Sequence, residues 1–166
     1  MKILLVCPEY ENTFWNFKEV LKIVGKKSAY PPLGLLTISP MLPEEWEKRL
    51  VDMNCEDLPE DLIKWADYVF ISAMVGQKKS TGEVIDIVQK LGKYIVAGGS
   101  LFSTSSEDYP MIETIVLGEV EDIFPELVED LKKGIPKKRQ KQRKEILKIF
   151  LTRASRSRSL VIALGL

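Results

Sequence analysis

The residues best suited to hold a ligand in this chain are small or polar, and each group follows a short apolar run. They are Glu9 and Tyr10, Asp52 and Asn54, Ser72 and Met74, Gly98 and Gly99, and Gly118 and Glu119. A pair of glycines removes two Cβ atoms, so a flat or bulky ligand can press against the backbone at 98–99, unless the pair only makes a plain turn. The Ser72 hydroxyl can donate to a ligand or cap the next element. The acidic side chain of Asp52-Met53-Asn54 sits where an acid grips a ribose in dinucleotide folds. What is missing narrows the chemistry further: the chain has no histidine. That excludes a Ser-His-Asp triad, a Cys-His dyad and histidine-ligated zinc or haem. Chemistry at this site is therefore expected to come from a cofactor or from another domain.

The runs that position these residues are Ile3–Cys7, Arg49–Val51, Tyr68–Ile71, Tyr94–Ala97 and Thr114–Leu117. Between them lie segments with helical spacing: Phe14–Val24, Leu33–Leu42 up to Pro40, Asp57–Trp65 with Asp57 as N-cap, Ser80–Leu91 closed by Gly92, and Val120–Lys133 closed by Gly134. Ser105 and Ser106 can cap a brief turn or helix towards Met111. Strand and helix thus alternate, which predicts an α/β fold of the flavodoxin or Rossmann-like three-layer kind. Its sheet is expected to hold five parallel strands in the order 2-1-3-4-5, with helices on both faces. Ligands of such sheets bind beyond the carboxyl ends of the strands, where the candidate residues fall.

Several common ligands are excluded. Strand one is followed by Pro8-Glu9-Tyr10 rather than a Gly-x-Gly-x-x-Gly loop, so a pyrophosphate has no cradle, and no Gly-x4-Gly-Lys-Ser/Thr loop exists either. A response regulator needs acids after strand one and an aspartate after strand three, where this chain has Pro8-Glu9 and Ser72-Ala73. Two cysteines, Cys7 and Cys55, make no disulfide framework or metal motif and read as thiols of a cytoplasmic protein. No apolar run reaches the ~20 residues of a membrane helix, and Met1–Val6 is too short for a signal core.

The net charge of zero conceals an asymmetry. Residues 1–136 carry 14 basic and 23 acidic side chains, whereas residues 137–166 carry 10 basic and 1 acidic. We read 1–136 as a domain complete near Pro136. The remainder is a basic tail expected to lie outside the sheet, with the composition of a truncated or aberrant linker. Nucleic-acid binding through that tail ranks last among the functions considered.

Taken in order, the segments Lys2–Tyr10, Tyr30-Pro31-Pro32-Leu33-Gly34-Leu35-Leu36, Val51–Asn54, Ile71–Met74, Ala97–Gly99 and Val116–Glu119 resemble the N-terminal cobalamin-binding domain of cobalamin-dependent radical S-adenosylmethionine enzymes. Many members of that family methylate unactivated carbon, some on hopanoid-type lipids. The resemblance implies a corrinoid ligand bound without a histidine on cobalt, since the Asp-x-His-x-x-Gly motif of classical carriers has no counterpart here. It implies cofactor contacts from Glu9, Tyr10, Asp52, Asn54, Ser72, Met74, Gly98, Gly99, Gly118 and Glu119. Gly98-Gly99 and Ser72 suit the nucleotide tail, and Glu9, Tyr10 and Trp15 the disc edge. It also implies that the iron–sulfur cluster and S-adenosylmethionine belong to a radical domain absent from this chain, whose Cys-x3-Cys-x2-Cys motif is missing. On this reading the chain binds cofactor and partners that radical domain, and is not catalytic alone. A flavodoxin-like interaction or regulatory domain without cofactor is the alternative.

Overall fold

Among the described residues, six strands, all parallel, build the sheet in the order β2-β1-β3-β4-β5-β6. They are β1 (Lys2–Cys7), β2 (Glu47–Asp52), β3 (Tyr68–Ser72), β4 (Tyr94–Gly98), β5 (Thr114–Leu117) and β6 (Arg139–Lys141). The structure is a computed structural model that describes residues 1–11, 21, 23, 25–28, 30–118, 120–121, 123–134, 136 and 139–141. Most of the helix expected over Phe14–Val24 (all but Leu21 and Ile23), Trp15, Glu119 and the tail beyond Lys141 lie outside the described residues.

The helices are α1 (Leu33–Ile38), α2 (Glu60–Trp65), α3 (Lys78–Lys90), α4 (Ser100–Ser105) and α5 (Phe124–Lys132). Side chains of one strand alternate between the two faces. Leu4 and Val6 of β1 pack into one buried layer with Ile63, Val84, Val88 and Phe102 of α2, α3 and α4. Ile3, Leu5 and Cys7 pack into the other with Leu35, Ile38, Phe124 and Leu127 of α1 and α5. Both faces are therefore covered, and the central strands are continuous apolar runs, as parallel sheets require.

The five-strand order 2-1-3-4-5 holds, and the differences from expectation have local causes. Helix α1 passes into a 3₁₀ turn at Ser39–Met41, where Pro40 can still occupy an early helical position but cannot extend an α-helix. Pro59, not Asp57, occupies the N-cap position of α2. Its fixed φ suits the entry, while Glu60 and Asp61 supply the acidic first turn. α4 was not foreseen: its sequence SLFSTS reads as polar, yet Leu101 and Phe102 are fully buried and hold it down. The sheet also does not stop at Pro136. Residues Arg139–Lys141 pair in parallel with Ile115–Leu117, so part of the basic tail extends the sheet, contrary to the expectation that it stands outside. A short charged segment suits an edge position, where polarity discourages pairing with other chains.

One glycine is fixed by the fold itself. Gly99 has φ +98°, and a Cβ there would lie 2.5 Å from the carbonyl oxygen of Ala73. That oxygen cannot retreat, because it accepts a hydrogen bond from Leu101 N at 3.1 Å while Ala73 N donates to Gly98 O at 3.1 Å. In sequence the Gly98-Gly99 pair reads as room for a ligand or as a plain turn, and a bulky residue at 99 is expected to leave the domain folded. The structure corrects that reading: the protein's own backbone already requires it. Gly99→Ala is expected to destabilise the domain by about 2–3 kcal/mol, from left-handed strain plus the clash. Thermal unfolding should show Tm falling by roughly 5–10 °C, whereas Gly98→Ala should leave it nearly unchanged.

Candidate functional site

The site follows from the alternation of faces. Phe70, Val96 and Val116 point into the layer between the sheet and helices α1 and α5. Two residues further along the same face come Ser72, Gly98 and Gly118. Large apolar side chains thus give way in one row to a hydroxyl and two glycines, and the filled layer opens into a cleft of about 230 Å³. Its floor is Phe70, Val96 and Val116, and its walls come from α1 through Gly34 and Thr37 and from α5 through Phe124 and Leu127. Gly34 keeps this wall clear of Ser72, since a Cβ there would meet Ser72 Oγ at 3.0 Å. By contrast a Cβ on Gly98 would meet only Val116, at 3.8 Å, an ordinary contact. No hydrogen bond among the described residues engages the Ser72 hydroxyl, so it remains available to a ligand.

Four predicted residues therefore meet at the cleft: Ser72, Gly98, Gly99 and Gly118. Glu9, Tyr10, Asp52, Asn54 and Met74 gather instead on the adjoining rim, formed by the loops after β1, β2 and β3. The rim is tightly self-bonded. Asn54 Oδ1 accepts from Tyr10 N at 2.9 Å, and Asn54 Nδ2 donates to Asp52 Oδ1 at 2.7 Å and to Pro8 O at 3.3 Å. Asp52 Oδ1 also accepts from Asn54 N at 3.0 Å, which makes the loop after β2 an Asx turn. Asp52 and Asn54 thus shape the rim as well as facing it. Tyr10 OH lies 3.0 Å from Met74 Sδ, and Met74 is 55% exposed beside Val75 at 59%. The rim consequently presents thioether, ring and aliphatic surface to solvent.

Sequence reasoning missed Thr37 and Phe124 as walls and gave Gly34 no role beyond its motif. It also missed Gln77, which is 1% exposed and donates from Nε2 to Pro8 O and to Cys7 Sγ. An amide at the start of an amphipathic helix reads as surface, so no sequence signal marked it.

Burial sets the state of the thiols. Loss of solvent pushes the Cys7 thiol up to about 11, against a partial offset from the Gln77 hydrogen bond, with the nearby Asp52 adding to the rise. Burial, reinforced by Asp52, also raises Cys55 and Tyr10. Both thiols and the phenol are neutral at physiological pH, so the rim offers no thiolate.

A family model for the B12-binding domain matches residues 19–128, well over half of the chain. The chain belongs to the B12-binding domain family. Relatives of this B12-binding domain occur in longer proteins. An uncharacterised methyltransferase of Synechocystis is 38% identical over 137 residues, covering 81% of this chain and 25% of its own length. Hopanoid C-2 methylase of Rhodopseudomonas palustris is 31% identical over 131 residues, covering 78% of this chain and 25% of its own. An uncharacterised methyltransferase of Pyrococcus horikoshii is 33% identical over 146 residues, covering 81% and 30%. The B12-binding domain described here therefore spans about a quarter to a third of the curated relatives it matches. Among the described residues, no helix is long and apolar enough to cross a membrane.

The thiol states give a direct test. A raised pKa means that thiolate, the form that iodoacetamide alkylates, is scarce until the pH is well above neutral; for Cys7 it is about one molecule in a thousand at pH 8. Iodoacetamide at pH 8 is expected to modify Cys55, which is partly exposed, and to spare Cys7 until the protein is unfolded. Peptide mass mapping of native and denatured samples reads this directly, and both rates should climb with pH.

Proposed function

We propose that this chain is a cobalamin-binding module that takes the nucleotide tail of the cofactor into the cleft and rests the corrin against the rim. The row Ser72–Gly98–Gly118 carries this reading. It leaves an elongated opening at the carboxyl ends of β3, β4 and β5, which a Cβ at Gly34 or Gly98 would begin to fill. A corrin is a broad, largely apolar disc edged with amides, and its tail is a flat aromatic base on a ribose phosphate. The base fits between the apolar floor and the α1 and α5 walls, with the Ser72 hydroxyl free to hydrogen-bond it. The apolar rim around Tyr10, Met74 and Val75 suits the disc face, and the backbone loops beside Glu9 and Asn54 suit its amides. The absence of histidine supports binding without a histidine on cobalt.

Bound cobalamin supplies a cobalt centre able to carry a methyl group. This chain's own residues bind the tail, orient the disc and exclude water from the cleft. In the same reading the iron–sulfur cluster, S-adenosylmethionine and the methylation step belong to a radical catalytic domain of longer proteins. That assignment rests on the resemblance and on the names of the longer methyltransferase relatives. Residues 137–166 then stand at the start of the connection to such a domain, and the chain alone is not catalytic.

Titration with hydroxocobalamin, followed by its visible spectrum, tests the reading. Cobinamide, which lacks the nucleotide tail, is the control ligand. The parent protein should bind cobalamin and discriminate strongly against cobinamide. Ser72→Ala should weaken cobalamin binding about fivefold, equivalent to about 1 kcal/mol for one neutral hydrogen bond. Gly98→Val should abolish the discrimination while the protein remains folded by circular dichroism. Equal affinity of the parent for both ligands would remove the tail from the cleft. No binding of either would favour the cofactor-free interaction domain.

A further inference from the structure

A single buried amide links the tails of β1 and β3. Gln77 stands in the 3₁₀ turn Val75–Gln77 at the entry to α3, and its side chain is spent entirely on the tails of β1 and β3. Nε2 donates to Pro8 O and to Cys7 Sγ, and Oε1 accepts from Met74 N at 2.7 Å. Its own carbonyl accepts from Thr81 Oγ1 at 2.7 Å, which ties the turn to a buried side chain in the first turn of α3. Around this point the loop after β1 is stitched at every step: Glu9 N donates to Ser80 Oγ at 3.0 Å, Tyr10 N to Asn54 Oδ1 at 2.9 Å and Glu11 N to Gly76 O at 3.1 Å. The Tyr10 ring lies over Gly76, where a Cβ would be 3.6 Å from its Cδ1.

From this arrangement we infer that Gln77 is a positioning residue that fixes the Pro8–Glu11 loop and the Met74 tail as one preformed platform for the corrin. The inference rests on the cobalamin reading of the same site. A carboxamide offers a donor and an acceptor side by side without charge at any physiological pH. The site needs both, because Pro8 O accepts and Met74 N donates. An apolar replacement removes the acceptor from Met74 N and leaves Pro8 O only the longer bond from Asn54 Nδ2, and an ionised carboxylate turns the Pro8 contact into a repulsion between acceptors. A platform fixed before binding spares the ligand the cost of ordering four residues, so its loss appears as weaker binding rather than unfolding.

Two measurements on the full chain test this, using Gln77→Met and Gln77→Glu. The first needs no ligand. Amide hydrogen exchange at Glu9, Tyr10, Glu11 and Met74 should accelerate at least tenfold in Gln77→Met, with Leu4, Val69 and Ile95 in the strand cores unchanged. Unchanged loop exchange, or uniform acceleration throughout, would overturn the inference whether or not cobalamin binds. The second is hydroxocobalamin affinity against pH. Gln77→Met should bind at least tenfold more weakly at every pH. Gln77→Glu should be similarly weak at pH 8 and recover towards the parent as pH falls, because a protonated carboxyl restores both hydrogen bonds. Of the groups facing this corner, Cys7 on β1 and Tyr10 on its loop stay neutral over this range, and Lys78 on α3 keeps its charge. Asp52 on β2 is common to all three proteins, so the parent profile subtracts its contribution. A parent that binds with both variants matching it overturns the positioning role alone. A parent that fails to bind overturns the cobalamin reading and leaves the exchange result to decide the role of Gln77.

Discussion

The contact on which most of this structure depends is between two backbones, where the carbonyl of Ala73 enters the space that a side chain at residue 99 would occupy. It joins the tail of β3 to the tail of β4 through Ala73 N to Gly98 O, then starts α4 by way of Leu101 N to Ala73 O. The next residue, Met74, is held from the other side by Gln77, which reaches back to β1. Three central strands thus leave the sheet in a fixed relation to one another. The cleft and the rim inherit their shapes from that relation rather than from their own side chains.

This explains why the two halves of the site differ in kind. The cleft is made by what is omitted: glycines at 34, 98 and 118 leave an apolar slot between two packed layers. The rim is made by what is satisfied, since its polar side chains are consumed by one another and by the turns they close. A hydrogen-bonded rim presents fixed loops whose exposed surface around Tyr10, Met74 and Val75 is apolar, and such a surface suits a large planar ligand. The elevated thiols reinforce this division, because Cys7 acts as a small apolar filler under the loop and not as a charged group.

Much of the fold was legible because parallel strands buried on both faces announce themselves as unbroken runs such as Ile3–Cys7 and Tyr68–Ile71. The strand tails were legible because turn residues follow those runs directly. The remainder was hidden where a residue's partner is distant in sequence. Gln77 is bonded to residues some seventy positions away, so nothing beside it in the chain reveals its burial. Gly99 looked like a ligand-approach glycine because Ala73 lies on another strand. α4 was invisible because two buried side chains outweigh four polar ones. β6 was missed because an edge strand of Arg139-Gln140-Lys141 has no apolar signature, and only its register beside β5 defines it.

The direction of β6 has a consequence for tethering. Being parallel to its neighbour, it carries the backbone from the blunt end of the sheet back to the ligand end, and Lys141 arrives opposite Leu117, one residue short of the Gly118 wall of the cleft. A polypeptide that continues beyond Lys141 therefore sets out from beside the mouth of the site. Anything folded on a short leash from that point would meet the mouth at an effective concentration of roughly millimolar. Such a neighbour would need only a weak interface of its own to close over a bound cofactor, and could release it as readily.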